Sequence, residues 1–145
     1  MKKLTWWFRI VGGFYLLLAV SNLYVMFFTD GQALLAGSPF PVDALTVKVA
    51  TDYWSASVFG LLGSGLFVIW ASRSPGQNVN VARYVAWLEL FSFGGYDLYA
   101  LARGYDPVSY GVFGIIHLII IVTGFLFARQ AQSEMVASPR LAPGD

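Results

Sequence analysis

The 145 residues are 57% hydrophobic and only 12% charged, with 17% aromatics and a mean hydropathy of +0.63. Soluble domains carry about a quarter charged residues, so this composition points to a membrane protein. A net charge of +1 without a basic cluster argues against a nucleic-acid surface, and the absence of cysteine excludes disulfides, thiol redox chemistry and thiolate metal sites.

Four apolar runs of roughly 20 residues, each long enough to cross a bilayer, predict an all-α integral membrane bundle of four transmembrane helices. Their expected positions are about 5–28, 48–71, 81–103 and 109–128, in one domain over 1–129, with a polar flexible tail at 130–145. The first run also reads as a signal peptide. Lys2 and Lys3 would be its basic region, Ile10 to Val20 its apolar region and Ala19-Val20-Ser21 its cleavage site. The apolar run continues to Phe28 and Arg9 splits the pattern, which favours a retained helix.

Between the first two helices, Thr29 to Leu45 reads as a loop in which Ala33-Leu34-Leu35-Ala36 is short and apolar enough to rest at a membrane interface. In the second helix Ala56, Gly60 and Ser64 recur every four residues, a small-residue stripe that lets a neighbouring helix approach closely. Breaker-rich turns at Arg73–Asn78 and Gly104–Pro107 bound the third helix.

Orientation follows from the basic residues. Lys2, Lys3, Arg9, Arg73, Arg83, Arg129 and Arg140 fall on one side of four spans, and Lys48 and Arg103 on the other. Both termini are therefore expected in the cytoplasm.

The third helix carries Glu89 and Asp97 within its apolar run. A carboxylate at that depth costs about 2.5–3.5 kcal/mol on insertion scales and so faces protein or water. Glu89 lies roughly 9 Å inside from the cytoplasmic end, at a depth comparable with Arg9, which predicts a structural Arg9–Glu89 ion pair; alternatively Arg9 snorkels outward and leaves Glu89 neutral. On an ideal helix Asp97 is rotated about 80° from Glu89 and lies about 12 Å along the axis, too far for a paired-carboxylate hydrolase.

Toward the outer side, Asp97 comes to a depth comparable with Asn22, Asp52 and His117, so that every helix contributes a polar group. With Tyr99, these residues are the candidate lining of an intramembrane pocket, Asp97 and His117 being its polar anchors. Local structural roles compete with this reading. Asp52 is four residues from Lys48 and can pair with it, Asp97 can reach Arg103, and Asn22 and His117 can simply bond neighbouring helices. One histidine among scattered carboxylates offers no metal-ligand spacing, and nothing calls for a cofactor.

Trp7-Phe8-Arg9-Ile10-Val11-Gly12-Gly13-Phe14-Tyr15, Glu89, Asp97, Leu101-Ala102-Arg103-Gly104-Tyr105, Ile116-His117 and Thr123-Gly124 resemble the BphX-like family of small four-helix bacterial membrane proteins. The resemblance implies a bacterial membrane location and carries no established activity or catalytic residues. DoxX-like and emopamil-binding-type proteins share the idea of carboxylates facing a membrane cavity, but no motif here commits to either.

The functional expectation is a protein that binds a small apolar or amphipathic molecule in a pocket near the outer leaflet. The alternatives are an enzyme on a lipid-soluble substrate with Asp97 and His117 exchanging protons, or a small proton-coupled transporter, working as a dimer, with Glu89 as the titrating group.

Overall fold

A computed structural model describes residues 1–137. Four helices make up the fold: α1 (Lys2–Phe28), α2 (Ala44–Ala71), α3 and α4 (Pro107–Ala137). The third, α3, is built of consecutive segments, α-helical at Val79–Leu88, π-helical at Glu89–Gly94 and α-helical again at Gly95–Ala102. Three helices, α1, α2 and α4, are long and apolar enough to cross a membrane.

The exterior is apolar at mid-helix, where Ile10, Leu17, Phe59, Leu66, Ile115 and Ile119 are exposed. The interior holds Glu89, Asp97 and His117. A helix that is hydrophobic on its outer face suits a lipid environment rather than water.

The helix ends follow local chemistry. The Asp43 carboxylate caps α2, accepting from the amides of Leu45 (3.0 Å) and Thr46 (2.9 Å), so α2 begins earlier than the expected residue 48. Asp106 caps α4 through the Ser109 amide (2.7 Å), with Pro107 in the first helical position. The far end of α4 runs on through the expected tail to Ala137. Glu134 pairs with the N-terminal amine of Met1, the Arg83 guanidinium donates to Gln132, and Ala131 is buried. These contacts make a helix of a polar stretch. The rest of the expected tail, 138–145, lies outside the described residues. At the other terminus, α1 passes unbroken through the Ala19-Val20-Ser21 site, with Ala19 buried.

The helices pack as two pairs. α2 leans on α1 and α3 on α4, and α1 and α4 join the halves. Gly12 and Gly65 set the α1–α2 crossing: a Cβ added at Gly12 would stand 2.6 Å from Ile69 Cγ1 and 2.9 Å from the Gly65 carbonyl oxygen. The expected stripe does not serve this contact. Ala56 and Gly60 are exposed, and an added Cβ at Gly60 meets nothing within 4 Å.

Because α2 packs chiefly on α1, its start stands apart from α3 and α4, and the α1–α2 loop bridges the gap. That loop turns at Gly31 (φ 74°), forms a 3-10 turn at Gln32–Leu35 that buries Leu35, and turns again at Gly37 (φ 76°). Its carbonyl at Gly37 accepts from the Asp106 amide at 2.8 Å, and an added Cβ at Gly37 would stand 3.0 Å from Asp106 Cβ. Left-handed backbone and close approach together require glycine there. Of the apolar Ala33–Ala36 stretch, Leu35 is buried against this end of the bundle while Ala33 and Ala36 stay exposed.

Candidate functional site

Four side chains from three helices meet inside the bundle. The Tyr15 hydroxyl on α1 donates to Glu89 Oε1 on α3, and Glu89 Oε2 is hydrogen bonded to Nδ1 of His117 on α4. On its other side, His117 Nε2 stands 3.6 Å from Asp97 Oδ2. Tyr15 and Glu89 are fully buried, and Asp97 and His117 are each 5% exposed. Asp97 Oδ2 has no hydrogen-bond partner. Phe93 and Phe113 stack on the imidazole with centroids at 5.7 and 6.3 Å, and Phe14 meets it edge-on at 6.3 Å.

The π-helical turn makes this cluster possible. An ideal α-helix would leave Asp97 about 80° round from Glu89, but a π turn accommodates one extra residue, which takes back about 100°. Asp97 thereby returns to within about 20° of Glu89, and both reach the same imidazole. The Gly94-Gly95 pair suits this turn. Cβ atoms there would stand 3.2 Å from the carbonyl oxygens of Glu89 and Leu90, five residues back in each case.

The expected Arg9–Glu89 ion pair does not form. Arg9 is exposed, with its guanidinium 5.5 Å from the centroid of the Trp6 ring. Arg9 and Tyr15 lie about 120° apart on α1, so the face that brings Tyr15 to Glu89 turns Arg9 outward. The hydrogen-bonding partners of Glu89 are Tyr15 and His117.

The remaining candidates separate. Asp97 and His117 come together as described, with Glu89 added to them. Asn22 stays at the edge of the bundle, where its Oδ1 accepts from Trp54 Nε1 (3.2 Å) and its Nδ2 donates to the Leu18 carbonyl (2.8 Å). It lines a cavity of about 180 Å³ with Ser21, Val25, Ala33, Leu34 and Trp54. Asp52 and Tyr99 are exposed and join neither group.

A larger cavity of about 440 Å³ opens where the α1–α2 loop bridges to α3 and α4. Its walls include Phe40, Tyr53, Trp54, Tyr96, Tyr105 and Tyr110, with Thr46, Ala50 and Leu35 between them. Trp54 and Leu34 line both cavities. Tyr96, which lines this cavity, directly precedes Asp97 on α3. On α4 the face running from Tyr110 to His117 passes Gly114, whose added Cβ would stand 3.9 Å from Asp97 Oδ2. A residue without a side chain thus separates the cavity wall from the buried cluster.

Chemically, the cluster holds two carboxylates and one imidazole. Among the described residues no lysine or arginine pairs with either carboxylate. Electroneutrality therefore takes two protons shared over three groups. Both imidazole nitrogens face carboxylates, so neither is free to turn to a metal ion. No group of three or more His, Cys, Asp or Glu among the described residues is arranged to hold one.

The BphX-like family model matches residues 1–133. The chain belongs to the BphX-like family. All of the buried cluster and both cavities of this BphX-like chain fall within the matched span. No curated protein and no solved structure matches it.

Tyr15 carries no polar signal of its own within the Trp7–Tyr15 stretch, and depth alone pairs Glu89 with Arg9 rather than with Tyr15 and His117. The signal that could have found the cluster is the Gly94-Gly95 pair, which permits the π turn and so changes the phase of every later residue on α3. The cavity tyrosines Tyr96, Tyr105 and Tyr110 carry no sequence pattern of their own, because they converge from the end of α3, a turn and the start of α4.

Proposed function

We propose that this chain is a multi-pass protein of the bacterial inner membrane, with both termini cytoplasmic, and that it binds a small apolar or amphipathic molecule. The bound molecule occupies the 440 Å³ cavity at the loop-covered end of the bundle, which this orientation places in the outer leaflet. The seven-to-two excess of basic residues at the terminal end supports the orientation, and the exposed apolar mid-helix surface supports the membrane location. The observation that carries the binding reading is the cavity itself, concave and largely apolar with a few hydroxyls converging on it.

Native mass spectrometry of the protein purified from membranes tests this reading. A small molecule should co-purify with the wild type and be lost from Ala50→Trp, which fills the cavity from α2. Equal occupancy in the two proteins removes the cavity as the binding site.

A second reading is favoured by the position of His117 between two carboxylates. Such a group can pass a proton, either in an enzyme acting on a lipid-soluble substrate or in a proton-coupled transporter. On this reading Glu89→Gln folds but loses any proton-linked activity. If Glu89 is only structural, the same substitution lowers stability and leaves the pH dependence of ligand binding intact.

A further inference from the structure

The walls and rim of the larger cavity share one electrostatic character. Six aromatic rings line it and no charged side chain does. The π faces of tryptophan and tyrosine attract cations, more strongly when the site is desolvated. Two aspartates adjoin lining residues. Asp43 Oδ2 accepts from the hydroxyl of the lining residue Thr46 at 2.8 Å, and Asp106 directly follows the lining residue Tyr105 and bonds the loop at Gly37.

Both carboxylates are held below the usual range and so stay ionised. Asp43 owes this to hydrogen bonds from the amide and hydroxyl of Thr46, and Asp106 to bonds from the hydroxyl and amide of Ser109. The nearby cations are turned away. Lys48 is exposed about 200° round α2 from Thr46, and Arg103 is exposed at the end of α3.

We propose that the occupant of this cavity is a lipophilic organic cation, a protonated or quaternary amine on an apolar body. The cationic centre sits against the Tyr53, Trp54 and Tyr96 faces near the two aspartates, and the apolar body fills the remaining volume. This assignment rests on the cavity being a binding site and adds the charge of its ligand.

The test uses isosteres that differ only in charge, benzyltrimethylammonium and neopentylbenzene. Binding to the full chain in phosphatidylcholine nanodiscs is measured by equilibrium dialysis, with empty nanodiscs subtracted. The cation should bind at least tenfold more tightly than its neutral isostere. Asp43→Asn with Asp106→Asn should weaken the cation several-fold at low salt and leave the isostere unchanged. Trp54→Leu, checked for folding by thermal unfolding, should also weaken the cation preferentially. Equal affinities overturn the cation assignment and leave the cavity reading standing. If neither probe binds, or if Ala50→Trp fails to reduce binding of either, both readings are overturned.

Discussion

Glu89 and Asp97, eight residues apart in sequence, face the same imidazole from its two sides. The π turn between them carries one residue more than an α-helix needs, so removing that residue should preserve the phase of the helix beyond it. Deleting the exposed Ser92 is expected to yield a regular helix with Glu89 and Asp97 still on one face. Thermal unfolding in detergent should then stay within about 1 kcal/mol of wild type. Deleting Ile119 from the regular α4 instead rotates the succeeding core residues by about 100° and should abolish folding. If the Ser92 deletion fails equally, the π turn does not absorb the extra residue.

His117 lies between two buried carboxylates, and among the described residues no lysine or arginine pairs with either. His117→Leu should cost about 3–5 kcal/mol, the expected loss when one partner of a buried pair is removed. Combining it with Glu89→Gln should recover a large part of that loss. Tyr15→Phe removes one hydrogen bond to Glu89 and should cost about 1.5–3 kcal/mol. Arg9→Ala loses only an exposed contact with the Trp6 ring, about 0.5–1 kcal/mol. Chemical unfolding of the four variants in one detergent ranks them. A larger loss for Arg9→Ala than for Tyr15→Phe would restore the ion pair that the structure replaces.

The features legible in the sequence are those whose signals are local. The number of helices and the turns between them rest on apolar run length and on breakers such as Pro75-Gly76 and Gly104-Tyr105-Asp106-Pro107. Depth alone also puts Asp97 and His117 at the same level, though not on facing sides. Rotation about a helix axis is different, because it accumulates along the chain and one π turn resets it. That reset moved Asp97 onto the Glu89 face, so a feature divided by ideal geometry became one cluster. Pairings between helices depend on rotation too, so Arg9 was matched to Glu89 by depth when Tyr15 had the correct face. The helical extension to Ala137 was hidden for another reason: its partners, Met1 and Arg83, lie on other parts of the chain.

The α1–α2 crossing separates glycines that look alike in sequence. Gly12→Ala places a methyl against the Gly65 carbonyl and Ile69, an overpacking expected to cost about 1–3 kcal/mol. Gly60 points into open space on the same pair of helices. Gly60→Ala should therefore be neutral or stabilise by up to about 1 kcal/mol through helix propensity. Thermal unfolding decides between these outcomes. A marked loss at Gly60, accompanied by a change in mass measured by light scattering, would instead assign that small-residue face to a contact between copies.

Asp43 links acid sensitivity to the start of α2. Hydrogen bonds from the Thr46 amide and hydroxyl lower its pKa in the folded protein relative to the unfolded chain. Its contribution is therefore complete above the unfolded value, near 3.9, and is lost as pH falls through the lower folded value. Asp43→Asn retains a capping oxygen but cannot titrate. Between about pH 5 and pH 2, unfolding midpoints of the wild type should fall more steeply than those of Asp43→Asn, while the two profiles run parallel above pH 5. Parallel profiles throughout would mean that the cap holds equally well in its protonated form. Asp43 would then titrate near its ordinary value and still carry its negative charge at neutral pH.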